Sequence, residues 1–164
     1  MNKDEINKAK DLLKYIRHFA LATVNADGTP HNTPLFYALD NELKHLYFVS
    51  RDESLHTKNF IRTGKAFVVL YDSNEFNGGI YLTINSGRKL EGQELKNAYE
   101  IYNTACLRFD IDVLPENFHL QEGGYNLYAG NITKIEVYNS QDDSEGKLQQ
   151  ESRQQISAKE LLND

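Results

Sequence analysis

The stretch Ser50-Arg51-Asp52-Glu53-Ser54-Leu55-His56-Thr57-Lys58 gathers the groups that hold an anion. A β-compatible run leads into it and a helix-compatible run leaves it. The first N–H groups of a helix lack intrahelical partners and carry the positive end of its dipole. A helix start of this kind favours a phosphate or carboxylate. Arg51 can grip a phosphate through two parallel hydrogen bonds, and Ser50 and Ser54 can donate more. Asp52 and Glu53 oppose an anion unless their carboxylates point away. Ordinary capping by Ser54, with solvated charges around it, is the plain alternative.

Other chemistry-bearing residues are dispersed. Histidines 18, 31, 45, 56 and 119 form no HxH, HExxH or i,i+4 pair, so no metal site is expected. His31 and Asn32 fall on an expected strand beside a turn, where a lone histidine is usually a packed or surface residue. The single cysteine, Cys106, lies on the apolar side of a helical pattern and reads as a buried, inert thiol. The chain carries no GxSxG, Walker A or GxGxxG motif, and Asn85-Ser86-Gly87 is too short for a phosphate loop. The 10 Tyr and 8 Phe fill cores and interfaces by default, and some could flank a planar ligand.

The elements that must position these residues follow from period and punctuation. Ile6, Ala9, Leu12, Leu13 and Ile16 recur every three or four residues, the pattern of an amphipathic helix. Residues 19–24 form an apolar strand, Asn25-Ala26-Asp27-Gly28 a turn, and residues 29–39 the returning strand. Pro34 lacks a ladder donor and belongs on an edge or bulge. Residues 44–50 complete a three-stranded antiparallel meander. Leu55, Asn59, Phe60 and Ile61 then suit a short helix stopped by Gly64. Residues 66–71 and 80–90 read as strands, 94–107 as a helix, and 125–138 as a strand bent at Gly130. Six or so strands with few helices predict a mainly β chain with helices, an α+β antiparallel barrel with helices packed at its ends. Residues 1–138 make the domain. Residues 139–164 read as a polar, flexible tail, with a short helix opened by the capping box Ser157–Glu160.

Composition bounds the rest. The chain has 164 residues, 40% of them hydrophobic, enough for one domain with a real core. No stretch approaches a membrane span, and Met1-Asn2-Lys3-Asp4-Glu5 lacks a signal-peptide core, so a cytoplasmic protein is expected. A net charge of −6 argues against general nucleic-acid binding. That total hides an uneven distribution. Residues 44–65 carry five Lys/Arg against two acids, while residues 139–164 carry six acids against three bases.

The order of features resembles a known family. Phe19-Ala20-Leu21-Ala22-Thr23-Val24 leads through Asp27-Gly28-Thr29-Pro30-His31 into Thr33-Pro34-Leu35-Phe36-Tyr37. Leu46-Tyr47-Phe48-Val49-Ser50 then runs into Ser54-Leu55-His56-Thr57-Lys58-Asn59, followed by Ala66-Phe67-Val68-Val69-Leu70. This resembles the pyridoxamine 5′-phosphate oxidase-like family, the FMN-binding split β-barrels, best over residues 12–71. Residues 82–91 and 125–138 are similar to its later strands.

The resemblance implies a homodimer with FMN sites at the subunit interface. It lays Asn32, Thr33, Pro34 and Leu35 along the flavin ring. Val49, Ser50 and Arg51, with Ser54, Leu55 and His56, then hold the ring edge and phosphate. Asn32 and His56 stand where the oxidase carries basic phosphate-binding residues, and Arg51 and Lys58 could supply that charge. The oxidase's C-terminal Arg-x-His element has no match in the Gln-rich tail, which argues against pyridoxamine-phosphate oxidation. A flavin brings its own redox chemistry, so no protein nucleophile is required. The implied function is an FMN-dependent oxidoreductase acting on a small molecule. The alternative is a dimeric, stress-response type module that holds flavin or haem without turnover. A deazaflavin or haem could replace FMN.

Overall fold

A computed structural model describes residues 3–73, 79–118, 124–142 and 148–163 of the chain. In chain order its elements are α1 (Lys3–Tyr15), β1 (His18–Val24), β2 (Pro30–Phe36), β3 (Ala38–Leu39), β4 (His45–Arg51) and α2 (Leu55–Thr63). Then come β5 (Ala66–Tyr71), β6 (Gly79–Lys89), α3 (Gly92–Arg108), β7 (Tyr125–Asp142), β8 (Leu148–Ile156) and α4 (Ala158–Leu162).

Every strand pairing is antiparallel, and the sheet runs β2-β1-β5-β6-β7-β4-β3, with β8 added beside β7. The two ends of that order, β2 and β3, are consecutive pieces of one extended segment separated by Tyr37 alone. The sheet therefore curls until its edges share a residue, which makes a split barrel. Tyr37 is buried at this seam. Its ring meets Phe19 edge-on at 5.4 Å, and its hydroxyl donates to the Ile16 carbonyl at 2.8 Å.

The expected mainly β, α+β barrel is what forms, with eight strands among the described residues rather than six. One extra strand arises at Tyr37, where the expected strand 29–39 splits. Its first part pairs with β1 and its second with β4. The expected three-stranded meander is corrected accordingly: β4 joins β3 and β7 instead of pairing with β2.

The other extra strand is β8, which corrects the expectation of a flexible tail from residue 139. β8 pairs with β7 from Ile135↔Ile156 to Asp142↔Leu148. Ile156 and Leu161 are buried in the same core as Phe19 and Leu21. The capping box holds as expected. The Ser157 hydroxyl accepts from the Glu160 amide, and the Glu160 carboxylate accepts from the Ser157 amide at 2.7 Å.

Period-2 alternation builds two cores on opposite faces of the sheet. Leu46 and Phe48 of β4 point into the barrel with Leu21, Phe60, Val68, Ile84 and Tyr128, and α1 closes one end through Ala9, Leu12 and Leu13. Tyr47, between them, packs outward with Leu127 and Ala129 against Ala98, Tyr102 and Cys106 of α3. Each buried Leu, Val, Ile or Phe among them contributes about 1.5–3 kcal/mol by leaving water. Burial also pushes the Cys106 thiol above its ordinary range, as expected of an inert cysteine.

Helix α2 is fixed at its C-terminal end. Gly64 caps it with φ 65°, and its carbonyl accepts from the Gly87 amide at 3.0 Å. Along the helix, the Phe60 ring lies so close to β6 and β7 that a Cβ on Gly87 or Gly130 would be only 2.8 or 2.9 Å from it. Two strands without side chains at those positions let the helix approach. The proline is also placed as expected: Pro34 lies on β2, at an end of the sheet order.

Candidate functional site

The strand-to-helix junction forms as the sequence predicts. β4 ends at Arg51, Ser54 takes the N-cap position of α2, and no acidic residue stands in the helix's first turn. The Ser54 hydroxyl makes no capping bond, so the first N–H groups of α2 have no side chain drawn across them. The Asp52 carboxylate points away from the helix start. It takes hydrogen bonds from Lys89 at 2.9 Å, from Asn126 at 3.2 Å and from the Tyr128 hydroxyl. The bonds from Tyr128 and Lys89 hold Asp52 below the usual carboxylate range. The phenol of Tyr128 is in turn pushed up by burial and by that carboxylate.

Alternation then sorts the expected site residues. On β2, Thr33 stands opposite Leu21 and Leu35 opposite Phe19, both buried, so Thr33 and Leu35 share the inward face. His31 lies on that face too, opposite buried Thr23. Asn32 and Pro34 lie on the outward face, and both are exposed. On β4, Ser50 continues the inward row of Leu46 and Phe48 and is buried. Val49 packs outward beside the α3 core, and the Arg51 guanidinium lies over the Tyr125 ring at 5.7 Å.

Three elements thus converge on one cluster. The Ser50 hydroxyl and His56 Nε2 share a hydrogen bond at 2.7 Å. The imidazole of His56 lies parallel to that of His31, whose Nε2 is 3.0 Å from the Thr33 hydroxyl. Burial and the neighbouring His31 hold His56 below the ordinary histidine range. Nearby, Asn59 of α2 ties the helix to the β1–β2 turn by donating to Asn25 at 2.7 Å. The structure brings Thr33, Leu35, Ser50 and His56 to one side, with Ser54 and Leu55 at the adjoining helix start. Asn32, Pro34, Val49 and Arg51 lie on the outward strand faces, and Lys58 lies further round α2.

His31 is the residue that the sequence reading missed as a site candidate. The alternation of His31, Thr33 and Leu35 against Thr23, Leu21 and Phe19 carried the signal. Elsewhere, His45 binds Asp40 at 2.6 Å and His18 meets Phe36 edge-on, while His119 lies outside the described residues. Among the described residues no group of three His, Cys, Asp or Glu side chains converges, and no helix is long and apolar enough to cross a membrane.

Cluster and fold can be set beside known proteins. The sequence model of the pyridoxamine 5′-phosphate oxidase family matches residues 6–119. The chain belongs to that family. The matched span of this family member runs from α1 past α3 and includes every residue of the His31–His56 cluster. No curated protein sequence matches the chain.

Solved structures similar to this family member share its fold. One is a haem-binding protein from Mycobacterium smegmatis, with TM-score 0.66 and 13% identity, aligned over 99% of this chain and 61% of that one. The present chain thus spans about three fifths of that protein's length. A second is a Clostridium acetobutylicum protein related to general stress protein 26 of B. subtilis, of the pyridoxinephosphate oxidase family. Its TM-score is 0.63 and its identity 10%, over 95% of this chain and 97% of that one. A third is a pyridoxamine 5′-phosphate oxidase-related, FMN-binding protein from Nostoc punctiforme, with TM-score 0.54 and 14% identity over 94% of each chain.

Proposed function

We propose that the chain is a flavoprotein that holds FMN, with the phosphate at the His31–Thr33–Ser50–His56 cluster and the start of α2. The observation that carries this reading is the donor set. Two hydroxyls and two imidazoles lie beside a helix start that Ser54 does not cap, and the Asp52 carboxylate is turned away. These groups suit a phosphate, and membership of the family supports a flavin as the body that bears it. When bound, the flavin supplies electron transfer. The protein's residues bind it, orient it and exclude water. The reading includes a homodimer with the ring at the interface, where a small-molecule substrate would meet it.

Haem is the second reading, motivated by the similar Mycobacterium protein. The Nε2 atoms of both clustered histidines are already engaged by hydroxyls, which favours phosphate over an iron at this place.

The test is a visible spectrum of the purified protein titrated with FMN, riboflavin and haemin. Saturable FMN binding that exceeds riboflavin binding supports the reading. A haem Soret band with no flavin binding overturns it. Anaerobic addition of NAD(P)H then separates the two forms of the proposal. Rapid bleaching of the bound flavin marks an oxidoreductase, and a stable yellow complex marks a binding module.

A further inference from the structure

We propose a second ligand site, for a small organic anion with an apolar body, in the groove between α2 and strands β6 and β7. The groove has a volume of about 610 Å³, and Thr57, Lys58, Ile61, Arg88, Lys89 and Tyr128 are among its lining residues. That volume falls within the range of small-molecule pockets. Its lining is distinct from the cluster described above. His56 faces β2, while Thr57, Lys58 and Ile61 meet the groove beside Gly87.

The key group is Thr57. The residue is 2% exposed, and its hydroxyl has no hydrogen-bond partner among the described residues. Other helical threonines here satisfy that need by bonding back one turn: Thr63 to the Asn59 carbonyl and Thr104 to the Glu100 carbonyl, each at 2.8 Å. Thr57 sits in the first turn of α2, so the residue four back, Glu53, lies outside the helix. A buried hydroxyl is normally satisfied, and one that is not calls for a partner from outside. Thr57 lines the groove, so a ligand there lies beside that hydroxyl.

The charges around it are graded. Arg88 is paired with Glu94, Lys89 with Asp52, and the Arg62 guanidinium donates to the Val24 carbonyl. Lys58 has no ion pair among the described residues, so its ammonium is the cation left for an incoming anion. Asp52 is the acidic lining residue, and its carboxylate is engaged by Lys89, Asn126 and Tyr128. Ile61, 45% exposed, offers the apolar wall. The anionic end of the ligand then meets Lys58 and Thr57, and its body lies along Ile61.

Amide chemical-shift titration of the full chain with phenyl phosphate tests this. Saturable shifts at Gly87, Arg88 and Lys58 are expected, with Thr57→Val and Lys58→Gln each weakening binding about tenfold, as for one lost charge-assisted bond. Inorganic phosphate, lacking the ring, should bind this groove more weakly. Thr57→Val should not lower the thermal midpoint of the unliganded protein, because it removes an unpaired hydroxyl. Three outcomes overturn the proposal: no saturable shift at Gly87 and Arg88, shifts confined to Thr33, Ser50 and His56, or affinity unchanged in both variants. The second of these would leave the flavin reading standing, so the two ideas fail separately.

Discussion

The imidazole planes of His31 and His56 are 4° from parallel, with their centroids 6.4 Å apart. Burial, and then the neighbouring His31, disfavour the charged form of His56. His56 is therefore neutral by default and gains a reason to take up a proton when an anion arrives.

A first prediction concerns stability and pH. His56 has a lowered native pKa, so below neutrality the unfolded chain binds more protons than the folded one. Stability from this group is full above the unfolded value of about 6.5 and is lost as pH falls toward the native value. Thermal midpoints measured across that interval should drop with acid, and His56→Gln should flatten the drop. Equal slopes for both proteins would remove His56 as the cause.

A second prediction concerns the ligand. If the FMN phosphate sits against His56, binding favours the protonated ring. FMN affinity should then rise relative to riboflavin as pH falls through the range in which His56 takes up its proton. His56→Lys should raise the preference for FMN by about tenfold at neutral pH, the effect of one charged bond. A ratio that ignores both pH and the lysine would place the phosphate elsewhere.

Ser50→Ala provides a third. It leaves the buried Nε2 of His56 without its 2.7 Å partner. The expected loss is roughly 1–3 kcal/mol in urea unfolding. No measurable loss would mean that water replaces the serine.

The seating of α2 yields a fourth. A Cβ on Gly130 would collide with Ile84 and lie 2.9 Å from Phe60. Gly130→Ala should cost about 1–3 kcal/mol through overpacking. Combined with Phe60→Leu it should cost less than the sum of the two single changes, because the smaller side chain yields space. Strict additivity would show that the ring and the glycine do not compete.

The C-terminal strand gives a fifth. Ile156 is 6% exposed within the main core. Ile156→Ala should destabilise the fold by about 2–5 kcal/mol, read as a shifted denaturation midpoint. A free tail would give no shift.

Much of this architecture was legible because its signals are local. Gly64 after Phe60 marks a left-handed helix stop, Asn25 to Gly28 marks a turn, and Ser157 with Glu160 marks a cap. The break at Tyr37 was not legible, because residues 30–39 have one continuous β character. Only pairing with distant β1 and β4 divides them. β8 was hidden for a related reason. Its sequence, LQQESRQQI, shows apolar residues only at its ends, and its ladder comes from backbone groups offered by β7. The site was half legible. Ser50 and His56 follow from the junction itself, whereas choosing His31 over Asn32 required knowing which face of β2 looks inward.

The seam at Tyr37 has a consequence for how this chain could be cut and rejoined. Because one residue links both edges of the sheet, the covalent chain itself fastens the barrel there. New termini placed in the short β3–β4 turn would leave that fastening whole. New termini at Tyr37 would release β2, and with it His31 and Thr33, from the rest of the sheet's far edge. The integrity of the cluster is thus written into chain connectivity as well as packing, and rearranged versions of the gene would read the two contributions apart.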